Sequence, residues 1–115
     1  MISIFLNENK KEDFIEQFQL QNAGGIPNEI VDLWIATGKR KECTYTWDMN
    51  RNTNVYYPSN EYRPRARFDR LYYRRSKTNH DQLKPVYFEL EGLEKLPSLK
   101  RYCSDHWAIQ AYFDM

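Results

Sequence analysis

The sequence predicts a mixed α/β fold with a largely antiparallel sheet. Three observations carry this: helix-spaced apolar stripes fall early, strand-type alternation fills the later chain, and no internal repeat runs through it. Residues 2–6, Ile2-Ser3-Ile4-Phe5-Leu6, read as a short buried strand. Over residues 12–20, Phe14, Ile15 and Phe18 stand at i, i+1 and i+4, the spacing of a short helix. Asn22-Ala23-Gly24-Gly25-Ile26-Pro27 is turn chemistry. Asn28 then reads as the N-cap of a second helix whose stripe is Ile30, Val31, Trp34 and Ile35, with Gly38 as its stop.

Residues 44–47 suit a strand, and residues 51–64 form a polar, Asn-rich, tyrosine-bearing loop. Residues 65–73 read as a further strand, with Arg67, Asp69, Leu71 and Tyr73 on one face and Ala66, Phe68, Arg70 and Tyr72 on the other. Residues 85–91 alternate with Val86, Phe88 and Leu90 inward. The last strand, residues 107–113, sets Trp107, Ile109, Ala111 and Phe113 on one face.

At 115 residues the chain is one domain at most, and 41% hydrophobic with 16% aromatic residues is enough apolar material to fold. No apolar run approaches the roughly 20 residues of a membrane helix, and the start lacks the basic lead of a signal peptide. The expectation is a soluble chain of nucleus or cytoplasm, with no membrane partner. Cys43 and Cys103 stand 60 positions apart, outside any paired metal-binding spacing, and are expected to be buried or half-buried free thiols.

The formal net charge of +1 hides an uneven distribution. Residues 61–77 hold seven bases and two acids, a net of +5, threaded with Tyr62, Phe68, Tyr72 and Tyr73. Arginine neutralises phosphates and aromatic faces accept stacked bases, so this mixture suits a single-stranded nucleic acid groove. It equally describes a solvated basic strand with tyrosines packed beneath.

Ser104-Asp105-His106 precedes the final strand. At a sheet rim His106 can bind a phosphate oxygen or move a proton; otherwise Asp105 is a cap and His106 a surface residue. Asp69, in Arg67-Phe68-Asp69-Arg70, is a strand ion pair or a rim carboxylate that orients a histidine. Trp47, in Tyr45-Thr46-Trp47-Asp48, is a stacking surface or a core anchor, and Asn50, Asn52 and Asn54 beyond it are amide donors or plain loop. His80 sits in a polar loop. No G-x-x-x-x-G-K, G-x-G-x-x-G or H-E-x-x-H occurs, so kinase, dinucleotide and zinc-protease readings have no support.

Taken in order, Gly24-Gly25-Ile26-Pro27-Asn28, Val31-Asp32-Leu33-Trp34, Tyr45-Thr46-Trp47-Asp48, Arg67-Phe68-Asp69-Arg70, Gly92-Leu93-Glu94-Lys95-Leu96 and Ser104-Asp105-His106-Trp107 closely resemble the C-terminal half of the 5′-tyrosyl-DNA phosphodiesterases. These belong to the endonuclease/exonuclease/phosphatase superfamily, and the resemblance is strongest over residues 24–115. It implies one partial domain, the C-terminal half of a two-sheet α/β sandwich with mostly antiparallel strands. It also implies a magnesium-dependent hydrolase that releases tyrosine-linked protein from DNA 5′ ends in DNA repair.

On this resemblance His106 stabilises charge on the phosphoryl group, Asp105 helps fix the catalytic geometry, and Asp69 supports the histidine region. Asn9 matches the family's asparagine, with Asn7 standing where an ionisable Asp belongs; an amide cannot exchange protons as a general acid or base. Trp47, Arg65, Arg67 and Arg70 match the face that receives DNA. The magnesium-binding asparagine and glutamate of the family's first half have no counterpart in the sequence, so no metal ligand is assigned and the chain is expected to be inactive alone. The expected partners are DNA 5′ ends bearing tyrosine-linked protein, single-stranded DNA, and a separate N-terminal half or a second copy of the chain. A non-catalytic single-stranded DNA-binding remnant or paralogue is the alternative reading. An unrelated α/β scaffold is the third.

Overall fold

The computed structural model describes residues 26–54, 56, 63–77 and 83–115. The expected strand 2–6, the helix 12–20, Asn7, Asn9, Tyr62 and His80 lie outside the described residues. Among the described residues six strands pair two by two, always antiparallel. Strand β1 (Ile30–Asp32) pairs with β4 (Tyr72–Arg74), with Val31 opposite Tyr73. Strand β2 (Trp47–Asp48) pairs with β3 (Arg65–Ala66), and β5 (Lys84–Glu91) with β6 (Ala108–Asp114). A four-residue helix α1 (Leu33–Ala36) and a 3-10 turn (Lys41–Cys43) join β1 to β2.

The core lies where the inner face of the β5–β6 hairpin meets α1 and the 3-10 turn. Leu33, Cys43, Phe88, Leu90 and Trp107 are buried there, with Val31, Trp34, Leu71, Tyr73, Tyr102, Ile109, Ala111 and Phe113 packed around them. Each fully buried large side chain of this kind contributes about 1.5–3 kcal/mol relative to exposure. The alternation of the last strand is observed: Trp107 is buried ahead of β6, while Ile109, Ala111 and Phe113 follow it onto the core face.

Four expected elements differ in their details. The second helix does not begin at Asn28. Ile30 and Val31 are β-branched residues that enter the ladder with β4, and α1 starts only after Asp32, whose Oδ1 accepts the Trp34 N–H at 3.0 Å as the true N-cap. Gly38, at φ 106°, does end it, with its N–H on the Ile35 carbonyl. The strand expected over 44–47 is confined to Trp47–Asp48, because Thr44 turns its hydroxyl onto the Lys41 carbonyl to close the 3-10 turn.

The strand expected over 65–73 is broken between Ala66 and Tyr72. The Phe68 and Asp69 N–H groups are taken by a threonine side chain, and the Leu71 carbonyl accepts from Leu33 N–H. Finally, Val86 faces outward, 41% exposed, because the register slips between Pro85 and Tyr87. Proline has no N–H for the ladder, and the bulge turns Val86 out while Phe88 and Leu90 keep their inward places.

Candidate active site

Strand β2 organises the site from its two ends. At the N-terminal end Thr46 is buried, and its Oγ1 accepts both the Phe68 N–H at 3.1 Å and the Asp69 N–H at 3.0 Å. One hydroxyl oxygen has two lone pairs, and here both fix the backbone that carries Asp69. The Thr46 carbonyl accepts the Trp107 N–H at 2.6 Å, and Trp47 bridges His106 across an antiparallel contact. Two segments far apart in sequence are thereby brought to one rim.

There His106 Nδ1 lies 2.7 Å from Asp69 Oδ2, with side-chain exposures of 38% and 24%. An ionised carboxylate only accepts, so this contact assigns the Nδ1 proton to His106 and turns Nε2 away from Asp69. The buried Phe68 lies beside the imidazole at 5.9 Å between ring centroids, and Trp47 lies 5.5 Å from Phe68, so one ring backs both. Trp47 is half-buried, intermediate between the core anchor and the open stacking surface that the sequence allowed. Asp105 is exposed, and the carboxylate in contact with the imidazole is that of Asp69.

The basic window is less available to a ligand than its charge suggests. Arg67 is 8% exposed and Arg70 3%, and both turn inward to Asp32, at 2.7 Å and 3.8 Å from its Oδ2. The Arg67 guanidinium also lies 4.5 Å over the Trp34 ring. A guanidinium held against a buried carboxylate is a structural charge. Arg65 is partly exposed, but both oxygens of the buried Asp48 accept from it at 2.9 Å, and it stacks 4.3 Å over Tyr45. Arg63, Arg74, Arg75 and Lys77 are the exposed bases of the described window.

Sequence reasoning singled out His106, Asp69 and Trp47, which the fold brings together. It did not assign the work of Asp32, Asp48 and Thr46, and it left Asn52 and Asn54 between amide donors and plain loop, where the fold makes both amide donors. The Asx turns at Asp48 and Asn52, which accept from Asn50 N–H and Asn54 N–H at 3.0 Å, were the available signal in Asp48-Met49-Asn50 and Asn52-Thr53-Asn54. Among the described residues no three His, Cys, Asp or Glu side chains converge as a cation site. Cys43 is buried as expected, its thiol pushed up by burial and drawn partly back by Arg40; Cys103 is exposed, against expectation. No helix among the described residues is long and apolar enough to cross a membrane.

No protein-family model matches the chain. It is 41% identical to tyrosyl-DNA phosphodiesterase 2 of Danio rerio over 96 residues, covering 84% of this chain and 25% of that protein. Against the Homo sapiens protein of the same name it is 37% identical over 97 residues, with the same coverage. Among solved structures it resembles Danio rerio tyrosyl-DNA phosphodiesterase 2 complexed with single strand DNA product, at a TM-score of 0.73 and 39% identity, over 84% of this chain and 37% of that one. The Caenorhabditis elegans structure gives a TM-score of 0.65 at 30% identity, over 88% and 34%. The chain thus spans about a quarter of the length of these curated relatives. In sequence and in fold alike, it is related to a segment of the tyrosyl-DNA phosphodiesterases and shares their endonuclease/exonuclease/phosphatase-type α/β architecture.

Proposed function

We propose that this chain contributes the histidine–carboxylate part of a 5′-tyrosyl-DNA phosphodiesterase site. The bond acted on joins a protein tyrosine to the phosphate of a DNA 5′ end. The supporting observation is the 2.7 Å contact of His106 Nδ1 with Asp69 Oδ2, in a chain 41% identical over 96 residues to a tyrosyl-DNA phosphodiesterase. Asp69 keeps the Nδ1 proton and the ring orientation, which leaves Nε2 for the reacting group. When Nε2 is also protonated, the imidazolium is a charged donor suited to phosphoryl oxygens as negative charge gathers on them, and Asp69 stabilises that cation. The exposed Asp105 is the second carboxylate of the rim.

The half-buried Trp47 ring, backed by the buried Phe68, is suited to receive the terminal base of a single strand. The Danio rerio relative solved with single strand DNA product supports DNA as the partner. Asn9 keeps the role of the family asparagine in this reading. Magnesium dependence belongs to it too, with ligands supplied from outside the described residues; the described side chains act by holding the imidazole and the base. The setting is the nucleus or cytoplasm.

A graft tests this. Residues 26–115 replace the matching segment of the Danio rerio protein, and cleavage of a 5′-phosphotyrosyl oligonucleotide is followed with magnesium. The graft is expected to cleave, and His106→Ala within it to lose about 10²–10⁴-fold in rate with an unchanged melt. A folded graft that is inert, or one indifferent to His106→Ala, overturns the proposal.

A further inference from the structure

Residues 102–106 reach His106 without forming a strand, and two asparagine side chains stand where a strand partner would be. The Asn54 amide holds both polar backbone groups of Tyr102: Oδ1 accepts its N–H at 2.9 Å and Nδ2 donates to its carbonyl at 2.7 Å. The same Nδ2 lies 3.2 Å from the Ser104 carbonyl, which also accepts from Asn52 Nδ2 at 2.9 Å. Asn52 is 2% exposed, and its Oδ1 accepts the Asn54 N–H at 3.0 Å, which sets the orientation of the second amide from the first. The Asn52 N–H in turn donates to the Asp48 carbonyl at 2.8 Å, tying the pair to β2. The His106 N–H donates to Ser104 Oγ at 3.1 Å. A continuous path therefore runs from β2 through Asn52 and Asn54 to the residue that presents the imidazole.

Strand β2 grips the other partner as well, since Thr46 fixes the Asp69 backbone. The relative placement of His106 and Asp69 is thus set by side chains flanking one two-residue strand, Thr46 just before β2 and Asn52 and Asn54 in the turn after it. We propose that Asn52 and Asn54 are positioning residues for the His106–Asp69 pair. The inference rests on the reading of His106 as the phosphate-facing histidine, and gives that histidine its support. Only a carboxamide fits, because Asn54 must accept from one backbone group and donate to others; aspartate keeps the acceptor but turns an oxygen toward two carbonyls.

The test is the ring ¹⁵N signature of His106 in the 115-residue chain, which reports the tautomer without any need for turnover. The unaltered chain is expected to show Nδ1–H as the dominant tautomer of the neutral ring. Asn54→Ala and Asn54→Asp are expected to lose that dominance while still melting cooperatively. Asn50→Ala, an exposed residue of the same turn, is expected to keep it. A purely structural role would lower the melting temperature and leave the tautomer alone, so a folded Asn54 variant with the native signature overturns the proposal. Should neither variant fold, hydrogen exchange in the unaltered chain decides. The Tyr102 and Trp107 amides must open together if the clamp governs the segment, and independent opening overturns it. A tautomer that shifts as expected in a chain whose graft cannot cleave supports the clamp and removes only the phosphodiesterase reading.

Discussion

Thr46 is the residue whose small size hides the most consequence. Its single hydroxyl oxygen satisfies two backbone N–H groups, those of Phe68 and Asp69, at a site only 1% exposed. Valine has nearly the same shape and no acceptor, so Thr46→Val strands both donors in a place that water reaches poorly. Leaving a buried donor unsatisfied costs about 1–3 kcal/mol, and Thr46→Val is expected to fall at the upper end of that range. Thr46→Ser keeps the oxygen and is expected to lose less than half as much. Urea melts of the three chains measure the difference; a Thr46→Val chain as stable as its parent would show that the two N–H groups find other partners.

At the scale of elements, the cluster that joins β1 to the β3–β4 connection shows how charge is used here. Asp32 caps α1 through Trp34 N–H, accepts from Arg67 at 2.7 Å and has Arg70 nearby, all in a buried setting. Removing one partner of a buried ion pair costs far more than the pair contributes, because the remaining charge stays out of water. Asp32→Ala is expected to destabilise the chain by about 3–5 kcal/mol, with the loss of the helix cap included, and guanidinium denaturation reads it. A change under about 1 kcal/mol would mean that the two arginines relax to solvent at little cost. This cluster also explains what was legible. The β6 face could be read from Trp107, Ile109, Ala111 and Phe113 because ladder bonding enforces the two-residue period. The stretch from Arg67 to Leu71 could not, because its backbone is bound by Thr46 and Leu33 and its arginines by Asp32, and such partners leave no periodic trace. At the rim, Asp69, His106 and Trp47 were visible as chemistry-bearing types, whereas the asparagines owed their identity to carbonyls 48 to 52 positions away.

For the whole molecule the decisive fact is the share of the fold that this chain spans: a quarter of its curated relatives and 37% of the Danio rerio structure. Several large apolar side chains stand open at the surface. Ile35, Val86, Tyr87, Tyr112 and Leu99 are between 41% and 64% exposed. Among the described residues β5 and β6 pair only with one another, and on β5 the Phe88 carbonyl accepts from Arg40 Nη1 at 2.9 Å and from the Cys43 thiol at 3.6 Å. Exposed apolar side chains of this size favour association, with a second copy or with another polypeptide. Sedimentation equilibrium of the 115-residue chain is therefore expected to give a mass above that of one chain, rising with concentration. Val86→Lys places a charge on this surface at a side chain that already faces outward, so it leaves the core untouched. Burying one valine is worth about 1.5–3 kcal/mol, and the charge forfeits that gain, so association should weaken by at least about tenfold. A parent chain that sediments as a monomer at every concentration and melts sharply would show that the apolar surface is compatible with an independent unit.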